Sequence, residues 1–220
     1  SGVKNIAKNT NSDCNGIGTV TSASNTYTLS DGYAWEKQSN NTYKVIEAVA
    51  QIGNVGYASL ADAIAAASDN DTIKLLADTT EHFATGKTIA LDLGGKTLTV
   101  DASEGVQSTG GTLTITNGTV KSADNTVDDV ISAKGGNVVL GTDLTVTADT
   151  SAIYAYSGGK VTVDGATVTG ASKYTTAFAT GTGSAIEVKS GSITGPNDNH
   201  VTLVANNGAT ATVSGGTVTS

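Results

Sequence analysis

One phrase keeps returning in this chain: glycine, then threonine alternating with aliphatic residues, then a small turn. Gly110–Val120 reads GGTLTITNGTV, Gly158–Val168 reads GGKVTVDGATV, and Gly208–Ser220 reads GATATVSGGTVTS. Self-similarity at a fixed period decides an architecture before any short motif can. The glycines fall at Gly111, Gly136, Gly159, Gly183 and Gly208, separated by 25, 23, 24 and 25 residues. An aliphatic register runs through Leu93, Ile115, Leu140, Val163, Val188 and Val213, and another through Leu98, Val120, Val146, Val168, Ile193 and Val218.

Within a unit the pattern has period two: Leu113 and Ile115 alternate with Thr114 and Thr116, and Val161 and Val163 with Thr162 and Asp164, which is the signature of strands with one apolar face. Turn residues follow at a constant offset, as Asn117-Gly118, Gly165-Ala166, Ser190-Gly191 and Gly215-Gly216, where a positive φ costs little. A short unit holding three strands has one economical arrangement, a single coil of a parallel β-helix with aliphatic ladders pointing into its bore. The expected fold is therefore all-β, a parallel β-helix of about six to seven coils. Leucine-rich repeats have a similar period but need Leu at several fixed offsets. A β-sandwich also suits short strands, and the constant phase of the glycines weighs against it.

The first coil begins at DTIKLLAD (Asp71–Asp78). Just before it, YASLADAIAAAS offers Ser59 as an N-cap with Asp62 three residues on, and Leu60, Ala63, Ile64 and Ala67 at helical spacing. This predicts a short helix near 59–67 that covers the open end of the stack, where bare strand edges would invite aggregation. Residues 1–44 differ in kind. A polar lead precedes NTYTLSDGYAWEKQSNNTYKV (Asn25–Val45), two strands around a turn, whose bulky residues Tyr33, Trp35 and Tyr43 anchor a hairpin. The expected division is a connector with a β-hairpin at 1–44 and the β-helix at 45–220.

The chain carries 36 Thr, 27 Gly, no Arg and a net charge of -8. Such a surface is a poor partner for nucleic acid, whose affinity comes from neutralising phosphates with Lys and Arg, and it lacks the planar fork that grips carboxylates and phosphates. Cys14 stands alone in NSDCNGIG with no basic neighbour, so it reads as an inert thiol. No run of 18 apolar residues occurs, so no membrane-spanning helix is expected. A start at Ser1-Gly2 and an end at SGGTVTS, still inside the repeat, read as a piece of a longer protein.

The segment from Val49 to Val100 resembles a module of cell-surface proteins of Gram-positive gut bacteria. There a connector of the dGYxW…YxV kind leads to a YxSLxxAIxxA helix, then DTIxLLxD and ITLDLxGKTLT, and then right-handed β-helix coils like those of pectate lyases; the likeness covers about residues 27–220. The resemblance implies right-handed winding, which is also the bias of parallel crossovers. It further implies an extracellular place at the cell surface or wall, adjoining modules in the same chain, and a role in adhesion or glycan contact, with a host or dietary glycan or a host surface protein as partner.

The fold makes polysaccharide cleavage the first enzyme hypothesis. Lyases of this shape use Arg or Lys beside calcium held by carboxylates, and hydrolases of this shape use clustered Asp with Gly-His-Gly. This chain has neither pattern, so a non-catalytic module is expected. Asp128-Asp129 are adjacent and would point to opposite sides of a strand; His82 and His200 are isolated, with no second ligand at zinc spacing. Calcium would go to SDNDT (Ser68–Thr72) or NDN (Asn197–Asn199), neither of which has EF-hand spacing, so no cofactor is expected. Long connections at Lys121–Asp129, Thr169–Ala177 and Thr194–His200 recur in phase along one edge. That edge, with Asp128, Asp129, Lys173, Tyr174, Asn197, Asp198 and His200, is the expected binding site: Tyr174 would stack on a sugar while Asn and Asp bind hydroxyls. Regular Thr ladders bind ice in some β-solenoids; the Thr rows here are expected to be interrupted by Asp164, Glu187 and Lys189.

Overall fold

The computed structural model describes residues 13–14, 19–22, 25–28, 33–37, 39, 43–170, 174–196 and 200–220. The repeat folds as an all-β solenoid, with one α-helix among the described residues. Each coil contributes to three parallel ladders. The first ladder stacks Thr72–Leu75, Ile89–Asp92, Thr112–Thr116 and Asn137–Leu140, and runs on to Thr210–Val213. The second stacks Thr79–Thr80, Thr97–Val100, Gly118–Ser122 and Leu144–Ala148, and runs on to Thr217–Thr219. Two long strands, Lys160–Gly170 and Ala185–Thr194, serve both ladders and merge them into one 14-stranded sheet. The third ladder is a separate six-stranded sheet of Phe83–Thr85, Glu104–Ser108, Asp129–Lys134, Ser151–Tyr156, Ala177–Thr180 and Leu203–Asn206.

The aliphatic registers become the bore. Leu98, Val120, Val146, Val168, Ile193 and Val218 are paired in that order, as expected. The other register differs at its start: Leu91, and behind it Ile73, sits in line with Ile115, Leu140, Val163, Val188 and Val213. Leu93 is buried at the following corner instead. A period-two strand presents the same face every second residue, so Leu91 and Leu93 look alike in sequence, and only strand pairing separates them. Burial of each such side chain stabilises by about 1.5–3 kcal/mol before entropy is subtracted. Val213 is 51% exposed, although its counterparts one and more coils back are fully covered.

The glycine register also shifts. The carbonyls of Gly111, Gly136 and Gly159 accept from Asn137, Lys160 and Ala185, but the next in line is Ser184, which accepts from Thr210. Gly183 and Gly208 fall one residue earlier, at φ +84° and +85°. Sequence spacing had merged two positions: Gly135, Gly158, Gly183 and Gly208 take a left-handed backbone, and the residue after each needs no Cβ only in the tighter coils, whereas in the first coil Gly111 is itself left-handed at φ +54°. At Gly136 a Cβ would lie 2.6 Å from the Gly110 amide nitrogen.

The expected helix is α1, Leu60–Ala66, and the Ser59 side chain caps it by accepting from the Asp62 amide at 3.0 Å. Leu60, Ala63, Ile64 and Ala67 join the same buried cluster as Ile73, Phe83 and Ile89. Two charged side chains of the first coil hold its ends. Glu81 accepts from the Leu60 and Ala61 amides, both at 2.9 Å. Lys87 Nζ donates to the carbonyls of Ile64, Ala65 and Ala67 at 2.9, 2.9 and 2.6 Å. Both signs match the helix macrodipole, and both satisfy backbone groups that a helix this short leaves unpaired.

The hairpin expected around Trp35 pairs Tyr33–Lys37 with Tyr43–Glu47, so its second strand crosses the boundary expected after residue 44. Trp35 is buried. A second hairpin, Ala50–Ile52 with Val55–Tyr57, extends the first ladder antiparallel to Thr72–Leu75. Gly56 lies so close to Ala34 that a Cβ there would approach the Ala34 Cβ to 2.3 Å, which locks the two hairpins together. Cys14 lies in the strand Asp13–Cys14.

Candidate functional site

Because inward positions are committed to the bore, chemistry is left to the outward residues of the three ladders. The first ladder's outer face is mixed: its central row runs Ala90, Thr114, Val139, Thr162, Glu187, Thr212.

The second ladder's outer face is nearly uniform. One rank is Thr97, Thr119, Thr145, Thr167, Ser192, Thr217, and the other is Thr99, Lys121, Thr147, Thr169, Thr194, Thr219. The expected interruptions lie elsewhere. Glu187 is on the first ladder, and Asp164 and Lys189 lie at the corner between the two, where the pairing register shifts. Counting along the chain could not tell faces apart; pairing does.

The six-stranded sheet carries the most varied chemistry. Its central outward row is Gln107, Ser132, Tyr154, Phe178, Val204, and Lys134 pairs with Tyr156 in the next row. Tyr154 stacks on Tyr156 with ring centroids 4.6 Å apart and planes at 16°, and on Phe178 at 5.4 Å and 11°. Lys134 Nζ stands over the Tyr156 ring, 5.8 Å from its centroid, within the range of a cation–π contact. Ser132, between these strands and Gln107, is small enough for the Gln107 amide to reach the Tyr156 hydroxyl at 3.1 Å; the same amide lies 3.3 Å from Ser132 Oγ and from Glu104 Oε2. The rings are half-buried.

At the start of these strands Glu104, Asp129 and Ser151 stand in register. Burial pushes the Asp129 carboxyl up to about 6; the nearby Ser151 hydroxyl draws it part of the way back, and the neighbouring charges of Asp128 and Glu104 push it further up. Ser151 Oγ is itself buried and has no partner in hydrogen-bonding geometry among the described residues. Burial also raises Tyr154, helped by the Asp129 charge, and Tyr156, helped by Glu104. Aromatic rings and carboxyl groups thus form one continuous patch.

The expected loop edge comes together only in part. Asp128 is exposed there and accepts from the Ser103 hydroxyl, while the Asp128 and Asp129 amides both donate to the Ser103 carbonyl at 3.0 and 3.1 Å. Asp129 belongs to the six-stranded sheet, as the first residue of its strand. Tyr174, 57% exposed, and His200 are on the connections. Lys173, Asn197 and Asp198 lie outside the described residues. His82 is a surface residue that bonds through Nδ1 to Asp101 at 3.0 Å. In the Ser68–Thr72 turn the Asp71 carboxylate accepts from the Ser68 amide at 2.7 Å. Among the described residues no group of three His, Cys, Asp or Glu side chains is placed to hold a metal, and no helix is long and apolar enough to cross a membrane.

Comparison with known protein families, with curated proteins and with solved structures finds no match for this chain.

The residues missed from sequence are Tyr154, Tyr156, Phe178, Gln107 and Glu104. The signal was there in SAIYAYSGG: aromatics occupy outward positions next to the inward Ile153 and Ala155, and Phe178 follows Tyr154 by one repeat.

Proposed function

We propose that this chain is a non-catalytic adhesion module of a larger bacterial cell-surface protein, and that it touches a glycan through the aromatic row of the six-stranded sheet. The observation that carries this reading is the Tyr154–Tyr156–Phe178 stack beside exposed Glu104 and half-buried Asp129. Sugar hydroxyls bond to carboxylates and to tyrosine hydroxyls, and sugar C–H groups pack against the ring surface that the mutual stacking leaves free; such patches combine apolar contact with a few placed polar groups. The loop edge, with Tyr174, becomes the margin of this patch. The partner is a neutral glycan, since acidic ligands would meet a chain of net charge -8 without Arg.

A second reading is a structural stalk that holds other modules away from the cell. It is favoured by ladders that keep their register from the first coil to the last strands, Thr210–Val213 and Thr217–Thr219. With it go a right-handed winding of about six to seven coils, α1 as the lid of the first coil, and a connector ending near Glu47. Polysaccharide cleavage ranks below both.

The test is binding of the chain to a panel of neutral polysaccharides with chromatography of the supernatant. Retention without shortened products, lost in Tyr154→Ala with Tyr156→Ala, supports the adhesion reading. Released oligosaccharides would make the module an enzyme, and the absence of any retention would leave the stalk.

A further inference from the structure

We infer that the two ranks of threonine on the second ladder form a binding face for an ordered lattice of water, so that this side of the solenoid adsorbs to ice. The face is set apart by comparison with its neighbours. Threonine is a good former of exposed strands anywhere, yet the equivalent row of the first ladder includes Ala90, Val139 and Glu187, and the third ladder has Gln107, Tyr154 and Phe178. Strand propensity acts equally on all three ladders and does not account for one face being almost wholly hydroxylic.

The array is regular in two directions. Residues two apart on a parallel strand are about 6.6 Å apart, and strands follow one another at about 4.8 Å. The pairing in this ladder is unbroken, and the only register shift nearby falls at the Val163–Thr167 corner. A surface repeating on these two scales presents its hydroxyls as a two-dimensional array, as an ice face presents its oxygens. Threonine is stiff at χ1, so the hydroxyls are held before the ligand arrives and little ordering cost remains. They are also unspent: among the described residues the one hydroxyl–hydroxyl bond on this face joins Thr219 to Thr194, at 3.4 Å.

What the face lacks points the same way. Its twelve positions carry no carboxylate although the chain's net charge is -8; the Asp78 carboxylate meets its first-coil margin, where it accepts from the Thr97 amide at 2.8 Å, and charged groups within the face would hold their own hydration in place of a lattice. It carries no aromatic ring, so a sugar polymer would find no stacking surface here, and the rings are on another ladder. Lys121 is the single charged intruder; the eight positions beyond it, in the coils from Thr145 to Thr219, are all hydroxylic. The inference is independent of the glycan contact proposed above.

The test is thermal hysteresis and ice-crystal shape with the full chain. The wild type is expected to separate freezing from melting and to facet crystals. Thr167→Lys, at the centre of the patch, abolishes both, whereas Thr162→Lys on the first ladder leaves them unchanged. Lys121→Thr, which completes the second rank, increases the hysteresis, so the inference remains testable even if Thr167→Lys fails to fold. Absence of hysteresis and faceting in the wild type overturns the inference, as does equal loss in folded Thr162→Lys and Thr167→Lys. Adsorption to crystalline cellulose without any effect on ice also overturns it and gives the face a different ligand.

Discussion

The second and third ladders are cut from the same coils and share one bore, yet their outer faces have almost nothing in common. Beneath the hydroxyl face Val146 and Ile193 are fully buried, and beneath the aromatic face Ile131 and Ile153 are equally so. Outside, one face repeats threonine while the other sets three rings beside a crowd of carboxyls. A solenoid thus constrains its inward positions by packing and leaves each outward row to be set separately.

The largest effects should fall on what the two faces share. Ile193→Ala beneath the hydroxyl face and Ile153→Ala beneath the aromatic face should each cost about 2–5 kcal/mol, read as a shift in urea midpoint. A large loss on one side only would mean that the bore is not a common core.

The next effect should separate the faces by pH. The Asp129 carboxyl has a folded value of about 6 against an ordinary 3.8. The folded state therefore binds this proton more tightly, and the stabilisation is full below about pH 4 and lost as pH rises through 6. Asp129→Asn should remove this slope and stabilise the chain at pH 7 by on the order of 2 kcal/mol, measured by denaturation across pH. An unchanged slope would relocate the titration.

A smaller difference is expected between side chains on the two surfaces. Tyr156→Ala loses its stack with Tyr154 and its contact from Gln107, and should cost at least about 1 kcal/mol in thermal melts. Thr147→Ala should stay within about 0.5 kcal/mol. Equally small, removing the exposed His82–Asp101 pair on neither face by His82→Ala should change stability by less than about 0.5 kcal/mol at pH 6.

Much of the solenoid was legible in the sequence, because its apolar period is physical: Leu98, Val120, Val146, Val168, Ile193 and Val218 must point inward, and their spacing is one coil. The helix was legible through Ser59 and Asp62, though its clamp by Glu81 and Lys87 was not, since those contacts span about 20 residues without a local pattern. Leu91 and Leu93 could not be told apart, because two residues leave a strand's face unchanged. The candidate site was read only in part. Asp128 and Tyr174 were placed by loop phase, but Tyr154, Tyr156 and Phe178 become neighbours only after coils stack, and Glu104 joins Asp129 the same way. Pairing between coils, which carries both outer faces, is the information a linear reading lacks.

Contact through the aromatic row is tested most directly by a glycan array probed with the wild type, Tyr154→Ala with Tyr156→Ala, and Thr169→Ala. The wild type and Thr169→Ala are expected to retain the same neutral glycans while the tyrosine variant, folded by circular dichroism, retains none. Binding that survives loss of both tyrosines, or that fails in the wild type, would contradict the assignment of contact to the aromatic row.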